Sequence, residues 1–379
     1  MDLLEVGTKK KIILSINTVW NVVNFRATLI KFLQNKNYEV IVLAQSDEYA
    51  QELALLDVRL ISISINSQKL SIINDLKLLM MYIWYFYKIQ PDIYLGYTIK
   101  PNLYGSIAAK IFNTPVVNNI NGLGKAFSTH GLLFRFARYA YKFALSKSKT
   151  IFFQNQEDKD FFISLGIAHH LNAGLLPGSG VDLDAFNEDL YSKQPEQPFT
   201  FILIARLLKE KGIFEYIHAA RLTLKDYPGT KFLLMGIIDE NNPSSLTINQ
   251  IHDWQEEGVI KFLGVQDDVR PFLAQSDCVV LPSYYNEGTP KILLEACAMG
   301  KPIITTDWKG CRDVVELTKN GYLCQIKSAE SLRDQMKLML GLNEEDYQNF
   351  SKNSRYIAET RYNQTIVFNQ YLTALEQGS

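Results

Sequence analysis

Two glutamates, Glu287 and Glu295, stand eight positions apart around the run Asn286-Glu287-Gly288-Thr289-Pro290-Lys291. The residues between them read as a helix start: Thr289 is of the type that caps a helix, and Pro290 suits a first turn. The free N–H groups behind such a cap, reinforced by the helix dipole, form a site that favours an anion, above all a phosphate. Glu295 falls among Ile292, Leu293, Leu294, Ala296 and Met299, where a carboxylate without a partner is costly. A glutamate kept there is expected to hold something, and sugar or ribose hydroxyls are natural partners. The bland alternative is an ordinary capped helix with a solvated glutamate. Gly288-Thr289-Pro290, which lets a backbone come close, weighs against it.

A second group lies upstream, in Ala205-Arg206-Leu207-Leu208-Lys209-Glu210-Lys211-Gly212. It follows an apolar run and precedes a helical pattern with Ile213, Tyr216, Ile217 and Ala220 on one face. Arg206 and Lys211 therefore occupy a strand-to-helix loop. Two cations there can neutralise a diphosphate, whose charge grows as a glycosyl bond breaks. Lys209 and Glu210 are expected in solvent.

The elements that must position these groups follow from periodicity. Apolar runs at 11–17, 39–44, 58–64, 92–97, 115–120 and 150–154 read as strands, separated by helix-like segments at 25–35, 70–88, 103–112 and 132–146. A polar, proline-bearing stretch at 187–198 has no period and reads as a linker. Runs at 199–205, 231–236, 259–263, 278–281 and 302–305 repeat the pattern, and only helical patterns follow Ser328. This alternation argues α/β architecture: two doubly wound Rossmann-like domains, 1–186 and 199–360, with a cleft between them and a C-terminal helix at 361–379 returning to the first domain. Ligands of open α/β sheets bind at the carboxyl ends of the strands, where the motif residues fall.

At 379 residues the chain is long enough for two cores. Lys+Arg 39 against Asp+Glu 40 gives no general nucleic-acid-binding character. The 4 cysteines, Cys278, Cys297, Cys311 and Cys324, form no CxxC pair and read as small buried residues of a reduced compartment. No signal peptide is visible, and the apolar stretch 72–89 carries Asp75 and Lys77, so a buried or interfacial helix is expected there rather than a span. The expected location is the cytoplasm, with contact to a membrane surface left open.

The pieces 205–212, 262–307 and Gly178-Ser179-Gly180-Val181-Asp182 together resemble the GT-B, family-four retaining glycosyltransferases. The R-x4-K-G loop followed by E-x7-E carries the resemblance, which is specific over most of the second half and looser in the first. The branch it suggests adds N-acetylgalactosamine or a related sugar to undecaprenyl-diphosphate-linked saccharides. The resemblance implies that Arg206 and Lys211 hold the donor diphosphate and that Glu287 binds the transferred sugar. It implies that Gly288, Thr289, Pro290 and Lys291 line the phosphate, that Glu295 grips the ribose, and that the loop with Leu263 and Val265 receives uracil. No cofactor and no divalent metal are implied. The usual proposal for the family is front-face displacement, in which the departing phosphate takes the acceptor proton.

Many members place a histidine after the fourth strand of the first domain. Here Tyr97-Thr98-Ile99-Lys100-Pro101 has none, so Thr98 or Lys100 is the candidate, against a plain strand end. Asn121-Gly122-Leu123-Gly124 follows the next strand and is a candidate wall of the site, against a simple turn. Asn17, Asn24 and Arg26 lie near the first strand end, where an acceptor would arrive. The stretch 132–143 mixes aromatics with cations at helical spacing, which fits either an anionic bilayer or a packed helix with a basic outer face. Two rivals share the pattern: a nucleotide-sugar epimerase, which needs no acceptor, and a non-catalytic nucleotide-sugar-binding subunit.

Overall fold

A computed structural model describes residues 9–65, 71–123, 127, 131–191, 197–239 and 242–376. The chain divides into two compact units, 1–179 with 368–379, and 180–367. The division falls at Ser179/Gly180, inside Gly178-Ser179-Gly180-Val181-Asp182, and not at the polar stretch 187–198. The described part of that stretch belongs to the second unit, where Glu188–Leu190 forms a 3-10 turn.

In the first unit the strands are β1 (Lys10–Thr18), β2 (Tyr38–Gln45), β3 (Arg59–Ser62), β4 (Ile93–Tyr97), β5 (Val116–Ile120), β6 (Thr150–Phe153) and β7 (Ala173–Leu175). They pair in parallel in the order β3-β2-β1-β4-β5-β6-β7, with Ile12 facing Val40 on one side and Ile93 on the other. Ile12, Ile13 and Leu14 are fully buried. A continuous apolar run is what a parallel strand covered on both faces requires. The helices are α1 (Val19–Asn35), α2 (Ala50–Ala54), α3 (Ile72–Ile89), α4 (Ser106–Ile111), α5 (Leu132–Ala144) and α6 (Gln156–Ser164). α1 starts six residues before the helical pattern at Phe25, because the Thr18 hydroxyl caps it by accepting from the Asn21 N–H and Val19 and Val22 are buried. A wide turn at Pro101–Gly105 leads into α4.

In the second unit the strands are β8 (Thr200–Ile204), β9 (Lys231–Met235), β10 (Lys261–Phe262), β11 (Cys278–Leu281), β12 (Ile303–Thr306) and β13 (Gly321–Cys324), in the parallel order β10-β9-β8-β11-β12-β13. The helices are α7 (Ile213–Asp226), α8 (Ile248–Glu256), α9 (Arg270–Gln275), α10 (Lys291–Ala298), α11 (Ala329–Leu340) and α12 (Glu344–Ile357). β7 (Ala173-Gly174-Leu175) and β13 (Gly321-Tyr322-Leu323-Cys324) went unanticipated because each contains a glycine and neither holds a β-branched residue. The last helix, α13 (Gln364–Glu376), carries residues of both units. Its Phe368 ring stacks on Phe32 at 5.1 Å, and its Tyr371 hydroxyl accepts from Asn119 Nδ2 at 2.7 Å, so residues 368–376 pack into the first unit. No described helix is long and apolar enough to cross a membrane.

Candidate active site

The loop after β8 is the hub of the second unit's candidate site. Its backbone is tied to neighbouring strand ends: Leu207 N–H donates to Ile237 O at 2.9 Å, Lys209 N–H to Ser244 O at 2.8 Å, and Glu210 O accepts from Tyr284 N–H at 2.9 Å. A 3-10 turn, Lys209–Lys211, then delivers the chain to α7 through Gly212 at φ 76°. A Cβ there would collide with the Pro282 carbonyl. Glycine is thus required both by the left-handed backbone and by the approach of the loop after β11.

That crossing brings Lys211 to Glu287. The two side chains form an ion pair, and the Glu287 carboxylate also lies 3.4 Å from the Ser283 hydroxyl. Lys211 is 7% exposed. Its ammonium lies 5.4 Å from the centre of the Tyr285 ring, and the exposed Arg206 guanidinium lies 5.7 Å from the same centre. Two cations beside one electron-rich ring face the same small region. The Glu287 carboxylate acts on a neighbour as well: burial first, then this carboxylate, pushes the Cys311 thiol up to about 12.

Gly288, Thr289 and Pro290 are buried. Gly310, at φ 77°, packs so closely under Gly288 that a Cβ would strike the Gly288 carbonyl. The expected helix does follow, but it starts later than Thr289 implied. Pro290 takes the cap position, with φ −63° and ψ 124°, and α10 opens at Lys291. The Pro290 carbonyl accepts the first-turn bond from Leu293 N–H at 3.1 Å, and the ring's missing N–H costs nothing because the helix offers no acceptor to an N–H at its start. Glu295 is buried as expected, at 7% exposure, and it has a partner within the chain: Lys291 Nζ, one turn earlier, at 3.1 Å. Leu263 and Val265 follow β10. Leu263 is half-buried, bonded to Leu234 O at 2.9 Å, and Val265 is 59% exposed. Among the described residues no group of three or more His, Cys, Asp or Glu side chains is placed to hold a metal ion.

In the first unit, the Thr98 hydroxyl donates to Asn17 Oδ1 at 2.8 Å, joining the ends of β4 and β1. Thr98 sits at φ 60°, a left-handed conformation rare for a β-branched residue. Asn121 accepts from Gln154 Nε2 at 3.1 Å, and Gly122 has φ 133°. Gly124 lies outside the described residues. Arg26 is 3% exposed, stacked 4.4 Å over Tyr97, and Asn24 donates to Trp20 O at 3.0 Å. Lys100 is 7% exposed and bonds Asp75 at 2.6 Å. Arg26 and Lys100, expected as acceptor or sugar contacts, are thus buried against Tyr97 and Asp75.

Residues 187–356 match the family described as Glycosyl transferases group 1, and residues 11–155 match Glycosyl transferase 4-like. The chain is 28% identical to the N,N'-diacetylbacillosaminyl-diphospho-undecaprenol alpha-1,3-N-acetylgalactosaminyltransferase of Campylobacter jejuni, over 93% of this chain and 94% of that one. It is 26% identical to the UDP-Gal:alpha-D-GlcNAc-diphosphoundecaprenol alpha-1,3-galactosyltransferase of Escherichia coli, over 70% of each. A glycosyltransferase structure from Rickettsia africae superposes with a TM-score of 0.82 at 16% identity, covering 97% of this chain and 98% of that one. The chain belongs to the GT-B glycosyltransferases of family four.

In this glycosyltransferase the sequence reading missed Tyr285 and Ser283. Tyr285 is the ring shared by both cations, and Ser283 lies beside Glu287 while also accepting from Tyr285 N–H at 3.2 Å. The signal was present in the aromatic pair Tyr284-Tyr285 placed between a strand end and Glu287.

Proposed function

We propose that this glycosyltransferase moves a hexosyl or N-acetylhexosaminyl group, most simply GalNAc, from a UDP-sugar to a polyprenyl-diphosphate-linked saccharide. The product would serve surface polysaccharide or glycan assembly. The observation that carries this reading is the convergence of Arg206, Lys211, Tyr285 and Glu287 beside the start of α10. The names of the Campylobacter jejuni and Escherichia coli relatives, which specify diphospho-undecaprenol-linked acceptors, support the acceptor class. The reaction would take place at the inner face of the cell membrane.

In this reading Arg206 and Lys211 neutralise the diphosphate as the bond from C1 to the phosphate oxygen breaks. The backbone of Gly288, Thr289, Pro290 and Lys291 lines the phosphate, Glu287 orients sugar hydroxyls, and Glu295 the ribose. Leu263 and Val265 flank uracil. The acceptor oxygen bonds to C1 on the face the diphosphate leaves, and its proton passes to a diphosphate oxygen, so the configuration is retained. On the acceptor side Asn17, Thr98, Asn121 and Gly122 are the candidate contacts, because Arg26 and Lys100 are held by Tyr97 and Asp75. Fixed positive charge stands in for a divalent metal.

The test is product analysis with UDP-GalNAc, a polyprenyl-diphosphate saccharide and EDTA. An α-linked product is expected. Arg206→Ala should lower kcat/KM by roughly 10²–10³-fold, whereas Glu295→Ala should mainly raise KM for the donor. A β-linked product would overturn retention, and complete loss in EDTA reversed by Mn²⁺ would overturn the metal-free account.

A further inference from the structure

We propose that α3, α4 and α5 together form a face that docks on an anionic lipid bilayer. Such docking would bring the chain to a lipid-linked acceptor, and to that extent it rests on the function proposed above.

α5 buries Ala137, Tyr141 and Ala144 on one side. On the other it exposes Leu132 (85%), Phe136 (68%), Tyr139 (63%) and Phe143 (57%), a stripe at helical spacing. α3 does the same: Leu78, Tyr82, Phe86 and Ile89 are buried, while Leu76, Met80, Trp84 and Tyr87 are all more than half exposed. α4 lies between the two helices. The Phe112 ring just past its end stacks on Phe86 at 6.2 Å, and Lys110 Nζ sits 4.1 Å from the centre of the Phe143 ring. The two stripes thus border one continuous surface.

Charge identifies the occupant. From Ser71 to Lys149 the sequence holds ten Lys and Arg against two acidic residues, in a chain whose net charge is −1. Asp75 is paired with Lys100, and Asp92 accepts from the Lys11 N–H. Lys77, Lys88, Arg135, Lys142 and Lys147 are exposed beside the apolar stripes. Large apolar side chains flanked by cations fit the boundary between acyl chains and anionic headgroups. A second copy of the chain would oppose the same positive charge and is disfavoured. No described helix can cross the bilayer, so the face lies on it.

Sedimentation with phosphatidylcholine vesicles, with and without phosphatidylglycerol, tests this. The chain should partition onto the anionic vesicles and be released by salt. Arg135→Glu/Lys142→Glu should weaken partition about fivefold for each cation lost, and Phe136→Ser/Phe143→Ser should weaken it without making it more salt-sensitive. Both changes are at exposed positions, and unchanged thermal melting would confirm the fold. The vesicles hold neither acceptor nor nucleotide sugar, so their result is independent of the transfer chemistry, which is followed separately with a water-soluble acceptor and should be unchanged in both variants. Equal affinity for neutral and anionic vesicles, no binding to either, or a dimer that Phe136→Ser/Phe143→Ser dissociates would overturn the proposal.

Discussion

Lys211 and Lys100 make an instructive pair. Each is a lysine at 7% exposure, each follows a central strand of a parallel sheet, and each is paired with one carboxylate. Their partners come from different places. Glu287 belongs to another strand-end loop, its side chain keeps 23% of its surface, and Tyr285 and Arg206 gather beside the pair. Asp75 belongs to α3, and the pair it makes with Lys100 has side chains only 13% and 9% exposed. Burial with a partner therefore does not mark a ligand site by itself. A charge held between two strand-end loops, with a second cation nearby, remains available to a ligand, whereas one locked between a helix and a turn serves the fold.

The sharpest way to break this contrast is to remove both lysines in turn. Lys100→Ala leaves the half-buried Asp75 without its cation and should cost about 1–3 kcal/mol of stability, read as a drop in Tm, while the donor KM stays unchanged. Lys211→Ala should lower kcat/KM by roughly 10²–10³-fold, the scale of one lost electrostatic contact to a developing charge. The contrast fails if Lys100→Ala keeps its Tm and loses transfer, or if Lys211→Ala transfers normally.

What the sequence made legible follows the same division. Arg206, Lys211, Glu287 and Glu295 were readable because their loops are short, anchored by glycine and proline, and flanked by strong strand and helix patterns. The structure brings Lys211 onto Glu287 and Lys291 onto Glu295, pairings that spacing alone could suggest only for the second, one turn apart on α10. Lys211 and Glu287 lie 76 positions apart and meet only because β8 and β11 are neighbours in the sheet. In the first unit the pattern gave strands and most helices, yet the orientation of Arg26 and Lys100 depended on packing against Tyr97 and Asp75. Sequence position near a strand end does not report which way a side chain turns.

A smaller effect probes how the second unit's loop is held. Gly212→Ala forces a left-handed backbone on alanine and drives its Cβ toward the Pro282 carbonyl. It should cost about 1–3 kcal/mol and should impair transfer as well, since the strain falls between Lys211 and the start of α7. A Gly212→Ala chain with wild-type Tm and kcat/KM would show that the loop tolerates movement, and the rigid positioning of Lys211 would have to be given up.

A further effect separates the units by pH. All four described thiols, Cys278, Cys297, Cys311 and Cys324, are buried, and all belong to the second unit. Burial raises Cys297, Cys311 and Cys324 from 9.0 to about 12. A raised folded-state value means that the unfolded thiols release protons first, so this contribution to stability is intact below about pH 9 and fades as the pH climbs toward 12. Tyrosines buried in both units add to the loss only above their ordinary value of 10.0. Between those two values the alkaline loss should therefore come from residues 180–367. Pulsed iodoacetamide labelling across that window should show the four thiols reacting together and only as that unit opens. If Cys297 or Cys311 reacted at the rate of a free thiol while the chain remained folded, the packing around α10 and Glu287 would be wrong.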